Sequence, residues 1–125
     1  MSGLTLDAGA LVAFDKGDRR VVAMLLRAVE TRTSVAVPAG VVGQVWRDGR
    51  RQARLARLLG APVVAIEALD DFTSRAAGQL CGASGTRDVI DASVVLCAKR
   101  RGHAIATSDA DDILRIDPTI RIVRV

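Results

Sequence analysis

The sequence predicts an α/β domain of three layers, an open parallel sheet with helices on both faces. Short runs rich in Val and Ile alternate with longer amphipathic stretches, which is the β-α-β-α order of a parallel sheet covered by helices. No repeat, low-complexity segment or linker divides the chain. At 125 residues, 50% hydrophobic and 26% charged, it suits one domain over residues 1–125. That length buries a core without disulfides or a structural metal.

The elements follow in order. Leu4 to Asp7 reads as a buried strand and Ala8 to about Phe14 as a short helix, with Asp15-Lys16-Gly17-Asp18 as punctuation. From Arg19 to about Thr31, Val22, Leu25, Leu26 and Val29 recur at helical spacing. Ser34 to Val37 is the second strand, and Pro38 fits the first turn of a helix carrying Val41, Val42, Val45 and Trp46. A break at Gly49 precedes a helix over Arg51–Leu59. Gly60-Ala61-Pro62 then turns into the strand Val63–Ile66. Leu69 to about Leu80 is helix, and Gly82-Ala83-Ser84-Gly85 is a loop without a phosphate-binding signature. Val89–Arg101 is a long apolar helix stopped by Gly102. Ala104–Thr107 is strand, Asp109 to about Ile116 a short helix, and Ile120–Val125 a last strand.

Composition narrows the function. No apolar stretch approaches the ~18–20 residues of a membrane helix. The start MSGLTLDAGA lacks a signal's basic segment and cleavage site, so a cytoplasmic protein with no membrane partner is expected. Cys81 and Cys97 are too few and too far apart for a zinc site and read as small buried thiols. His103, alone at a strand entry, reads as structural, and Trp46 as core or interface. With Phe14, Phe72, Trp46 and no Tyr, the sequence speaks against base-stacking platforms. Lys occurs only at Lys16 and Lys99, so Arg carries the net charge of +4, and Arg suits bidentate phosphate contacts.

Ligands of open parallel sheets bind outside the carboxyl ends of the strands. Asp7 follows the first strand there, and Ser108, Asp109, Asp111 and Asp112 follow Ala104–Thr107. Asp88 and Asp91 open the long helix on one face, and Asp91 interrupts an apolar run where a lone carboxylate is rarely buried. Each acid has a structural role open to it. Asp7, Asp88 and Asp109 are placed as N-caps, Asp91 as a capping-box partner of Asp88, and Asp111 and Asp112 as first-turn acids, the reading that suits Asp112 best. Together, three chain-distant acidic points at one sheet edge would repel unless a cation lay between them. Carboxylates without His or Cys suit Mg2+ or Mn2+, which activates water and neutralises phosphodiester charge. With Asp7, Asp88, Asp91, Asp109 and Asp111 set aside, nine of the 14 acids face 18 basic residues. Such a basic field draws in a phosphate backbone. Arg47, Arg50, Arg51, Arg54 and Arg57 would share roughly a 120° arc if one helix ran through Gly49. That arc would be a solvated face, a phosphate-tracking rim or a dock for an acidic partner segment.

Leu-Thr-Leu-Asp7 with Ala-Gly-Ala-Leu after it, Val-Ile-Asp91-Ala, and Ala-Thr107-Ser108-Asp109-Ala-Asp111 resemble, in order and spacing, the PIN-domain family, more narrowly the VapC-type toxin ribonucleases of toxin–antitoxin pairs. The resemblance runs from the first strand to the last. It implies a Rossmann-like sheet, a homodimer, a cognate antitoxin covering the site, and metal-dependent cleavage of single-stranded RNA to 5′-phosphate and 3′-hydroxyl ends. By match, Asp7, Asp91 and Asp109 take the catalytic metal-binding positions, with Asp88 and Asp111 supporting. Thr107 or Ser108 matches the hydroxyl beside the last acid. Gln44, in Val-Gly-Gln44-Val-Trp46, departs from the family's usual Glu, and its amide brings no charge and cannot act as a base. Asp88 is the acid placed to compensate. Gln44 keeps open a PIN domain that only binds. A receiver-type phosphoacceptor module would want an acidic pair after the first strand and a late strand ending in Lys, and the chain has neither.

Overall fold

The computed structural model describes residues 3–125. Among them, seven helices flank five strands: β1 (Leu4–Leu6), α1 (Ala8–Asp15), α2 (Arg19–Glu30), β2 (Val35–Pro38), α3 (Ala39–Val45), α4 (Ala53–Leu59), β3 (Val64–Glu67), α5 (Asp71–Ser84), α6 (Val89–Arg101), β4 (Ala104–Thr107), α7 (Ala110–Ile116) and β5 (Ile122–Arg124). All pairings are parallel, in the order β3-β2-β1-β4-β5, with Leu4 opposite both Val35 and Ala104. The chain builds outward from β1 to β3, then crosses back to lay β4 on the other side of β1. The strand order therefore reverses between β1 and β4, and the carboxyl end of that junction is the ligand crevice of an open α/β sheet. The three-layer architecture is the one the sequence predicts.

Apolar faces set the layers. α1 packs against α2, α3 and α4, while α6 packs against α5 and α7. Leu6, Leu11, Phe14, Leu25, Val37 and Ile105 are buried in the core, each contributing roughly 1.5–3 kcal/mol over its exposed state. On the α6 side, the Thr5 hydroxyl donates to Cys97 Sγ (3.8 Å) and pairs with His103 Nδ1 (3.0 Å), whose Nε2 meets Ser34 Oγ (3.2 Å). A hydroxyl committed to sulfur accepts from Nδ1–H, so Nε2 accepts from Ser34. His103, Cys81 and Cys97 are all buried, the cysteines as free thiols.

One expectation is corrected and two open readings are decided. Gly82-Ala83-Ser84 is not loop but the last turn of α5, where the Ser84 hydroxyl donates to the Leu80 carbonyl (2.8 Å). The helix stops at Gly85, whose φ of 70° lets the Thr86 N–H reach the Cys81 carbonyl. The arginine arc does not form either. Buried Gln52 closes the gap between α3 and α4: its Oε1 accepts from the Arg47 and Asp48 N–H groups (2.7 and 3.0 Å), and its Nε2 donates to the Val45 carbonyl and Asp15 Oδ2 (3.0 Å each). Arg54 and Arg57 remain on α4, whereas Arg47, Arg50 and Arg51 ride the connection. Trp46 is not core, for it is 37% exposed with its indole over Gly49. No described helix is long and apolar enough to cross a membrane.

Candidate active site

Asp7 follows β1 and caps α1, its Oδ1 accepting from the Ala10 N–H at 2.9 Å. The residue is buried, and burial lifts its pKa above the usual carboxylate value, opposed by hydrogen bonds from the Thr107 hydroxyl and the Ala10 and Gly9 N–H groups. Thr107, fully buried at the end of β4, also accepts from the Asp109 N–H at 2.8 Å. One hydroxyl thus ties Asp7 to the segment carrying Asp109, across the neighbouring strands of the reversal. Of the two candidate hydroxyls, Thr107 makes this contact and Ser108 is exposed. Ser108 lies over Gly9, where a Cβ would collide with its Oγ, so the glycine lets the turn after β4 approach the first turn of α1.

Asp88 caps α6 by accepting the Asp91 N–H at 2.9 Å. Asp91 is half-buried and its pKa is pushed up to about 6, first by burial and then by the charges of Asp88, Asp7, Asp112 and Asp109. Asp109 holds the N-cap position of α7 yet makes no capping bond, which leaves its carboxyl to the site. Its pKa is raised first by a hydrogen bond with the Asp112 carboxyl, then by burial and by the charges of Asp112, Asp7 and Asp111. Carboxylates from β1, α6 and α7 therefore share one field at one sheet edge. Among the described residues, no Lys or Arg nitrogen lies within 4.0 Å of Asp7, Asp88, Asp91, Asp109 or Asp111.

Asp112 is the first-turn acid of α7 that the sequence suggests, its side chain 47% exposed, and it does more than meet solvent: it raises the pKa of Asp109 and adds to the field on Asp91, while Arg115 approaches it at 3.8 Å. Its spacing from Asp109 held the signal: three residues along a helix share a face, as with Asp88 and Asp91. Asp111 is exposed and acts on Asp109 only through its charge. Gln44 is exposed near the end of α3, and no hydrogen bond of its side chain forms among the described residues.

These carboxylates do not close into a finished three-ligand centre: among the described residues, no three His, Cys, Asp or Glu side chains form a group able to hold a metal. The donors are hard oxygens without a resident counter-cation. They fit Mg2+ or Mn2+ held through one or two carboxylates and several waters, and they do not fit zinc, for want of His or Cys.

No protein-family model matches the sequence, and no curated protein does. Solved structures do match the fold. A chain of FitAB bound to IR36 DNA fragment aligns at a TM-score of 0.66 and 16% identity, covering 97% of this chain and 94% of that one. For VapBC2 from Rickettsia felis, bound to a DNA fragment from its promoter, the TM-score is 0.69 at 16% identity, covering 98% of each chain. For FitAcB from Neisseria gonorrhoeae it is 0.62 at 19% identity, covering 95% of each. The strand order also differs from the 2-1-3-4-5 order of receiver-type sheets. The chain shares its α/β fold with a chain of each of these three structures.

Proposed function

We propose that this chain is a metal-dependent endoribonuclease that hydrolyses single-stranded RNA as the toxin of a VapBC-type pair, acting in the cytoplasm as a homodimer and restrained by a cognate antitoxin. The observation that carries the proposal is the shared field of Asp7, Asp91 and Asp109, reached from three elements around the strand-order reversal with no basic partner on any of them among the described residues. The fold shared with FitAB, VapBC2 and FitAcB supports the toxin role and the antitoxin partner.

One or two of Asp7, Asp91 and Asp109 would hold Mg2+ or Mn2+ together with several waters, the remaining acids, Asp88, Asp111 and Asp112 among them, adding negative potential. A bound ion supplies Lewis-acid neutralisation of the phosphodiester and a more acidic water. Without an ion Asp91 is pushed up to about 6 by burial and its acidic neighbours; a bound cation would favour its ionised form, in which the carboxylate would accept the proton of an attacking water. The water oxygen bonds to phosphorus as the P–O3′ bond breaks, which leaves a 5′-phosphate and a 3′-oxygen that solvent protonates. Thr107 keeps the Asp7 carboxylate oriented throughout. The chain's net charge of +4 draws RNA towards the acidic edge.

Gln44, uncharged and exposed where a Glu is usual, favours a second reading as a binding module without catalysis. Cleavage of single-stranded RNA by the purified protein with Mg2+ or Mn2+, beside Asp7→Ala and Asp91→Ala, separates the two. Cleavage lost in both variants supports the enzyme, cleavage persisting in both refutes the assignment of the acids, and an inert wild type leaves the binding module.

A further inference from the structure

Between the start of α6 and α7 lies a cleft of about 190 Å3, lined by Arg87, Asp88, Asp91, Asp112, Arg115 and Ile116 among others. It opens directly from the acidic edge but has a basic element of its own. Arg87 is exposed and makes no ion pair or side-chain hydrogen bond among the described residues. The Arg115 side chain is 66% exposed and reaches Asp112 only at 3.8 Å, a separation at which an exposed pair holds weakly. Both guanidiniums are therefore available, and their planar forks match phosphate oxygens two at a time. Arg87 is also well placed by the backbone. The left-handed Gly85 and the Thr86 N–H on Cys81 fix the turn leading to it, and the Asp88 cap fixes the turn after it.

We infer that this cleft grips the phosphate backbone of a single RNA strand beside the cleaved bond, with Arg87 and Arg115 as positioning residues. The inference rests on the nuclease reading and names the strand's path through that site. The lining favours a nucleic acid over a protein partner. Protein interfaces are anchored by large apolar side chains in desolvated pockets, and among these named residues only Ile116 is apolar. An acidic peptide would bring carboxylates against Asp88, Asp91 and Asp112. RNA meets the same repulsion unless a divalent cation lies at the acidic edge, so the grip requires the cation as well as the arginines.

The test is the affinity of a short fluorescein-labelled single-stranded RNA, read by anisotropy with Ca2+ in place of Mg2+ and with the strand checked for integrity. The double variant Arg87→Ala/Arg115→Ala binds about tenfold more weakly, and its log–log salt slope shrinks by about 1.4, roughly 0.7 for each lost phosphate contact. Arg87→Lys/Arg115→Lys recovers the slope but not the full affinity. With Mg2+, KM rises about tenfold in the alanine variant while kcat changes less than about twofold. Unchanged affinity, slope and KM in a wild type that cleaves overturns the grip alone. Arginine-dependent binding by a wild type that never cleaves overturns the nuclease reading and leaves the grip standing. Loss of an acidic peptide's binding without any change for RNA assigns the cleft to a protein and overturns the inference.

Discussion

At the scale of single residues, Asp91 sets function against stability. Its folded pKa, about 6, lies above its unfolded value, so the fold favours the protonated form. The stability linked to that proton is present below the unfolded pKa, falls as pH rises through about 6, and stays low above it. Asp91→Asn removes the charge, and at pH 7.5 the variant should be more stable by on the order of 1 kcal/mol, once solvent screening of this half-buried group is allowed for. That is about 3–5 °C in Tm for a chain of this size. At pH 4 the gain vanishes, and equal melting offsets at both pH values would refute the shared field. Cleavage needs the same carboxylate ionised, and a bound cation favours that form, so cleavage by the wild type should climb with pH from below about 6. Thr107 is the second test. Thr107→Val leaves the Asp109 N–H without an acceptor and takes from Asp7 its side-chain donor, at a cost of about 1–3 kcal/mol. Cleavage drops as well, whereas Thr107→Ser keeps the hydroxyl and restores both. Val at 107 with wild-type melting and activity would mean that the bridge contributes nothing.

At the scale of elements, the break between α3 and α4 is held by one amide. Gln52→Ala strips four hydrogen bonds from a buried position and should cost about 2–4 kcal/mol, seen as a lower urea midpoint at unchanged m. A midpoint within error of the wild type would show that the segment holds itself. Nothing local in the sequence marks Gln52, because its side-chain partner Asp15 lies 37 residues away and an amide has no periodicity to betray it. α6, by contrast, is legible to the residue: Asp88 caps it, an apolar run fills it and Gly102 ends it at φ 67°. Gly82 misled because glycine ordinarily punctuates, and here it sits in a helix with room to spare. The acidic edge was legible for a topological reason. Residues after strands of a parallel sheet must emerge at one edge, so Asp7 and Asp109 could be placed without any distance being known. Which carboxyls touch is a matter of ångströms, and so Asp112 could be placed in the first turn of α7 but not in the shared field.

At the scale of the whole molecule, the folded chain confines like charges at one edge while remaining positive overall. Concentrating acids without cations is a standing source of strain, and any ion that relieves it must stabilise the fold by mass action. A divalent ion at ten times its Kd should add about 1.4 kcal/mol, a melting shift of several degrees reversed by EDTA. Monovalent salt relieves repulsion only by screening, which acts broadly and needs a far higher concentration. The comparison is therefore Mg2+ against KCl at equal ionic strength. A specific site gives a larger shift with Mg2+, and Asp7→Asn and Asp91→Asn begin more stable in its absence and gain less when it is added. If KCl reproduces the Mg2+ shift in full, the acids are bathed by counter-ions but hold none, and an edge that holds no ion has no means of activating water.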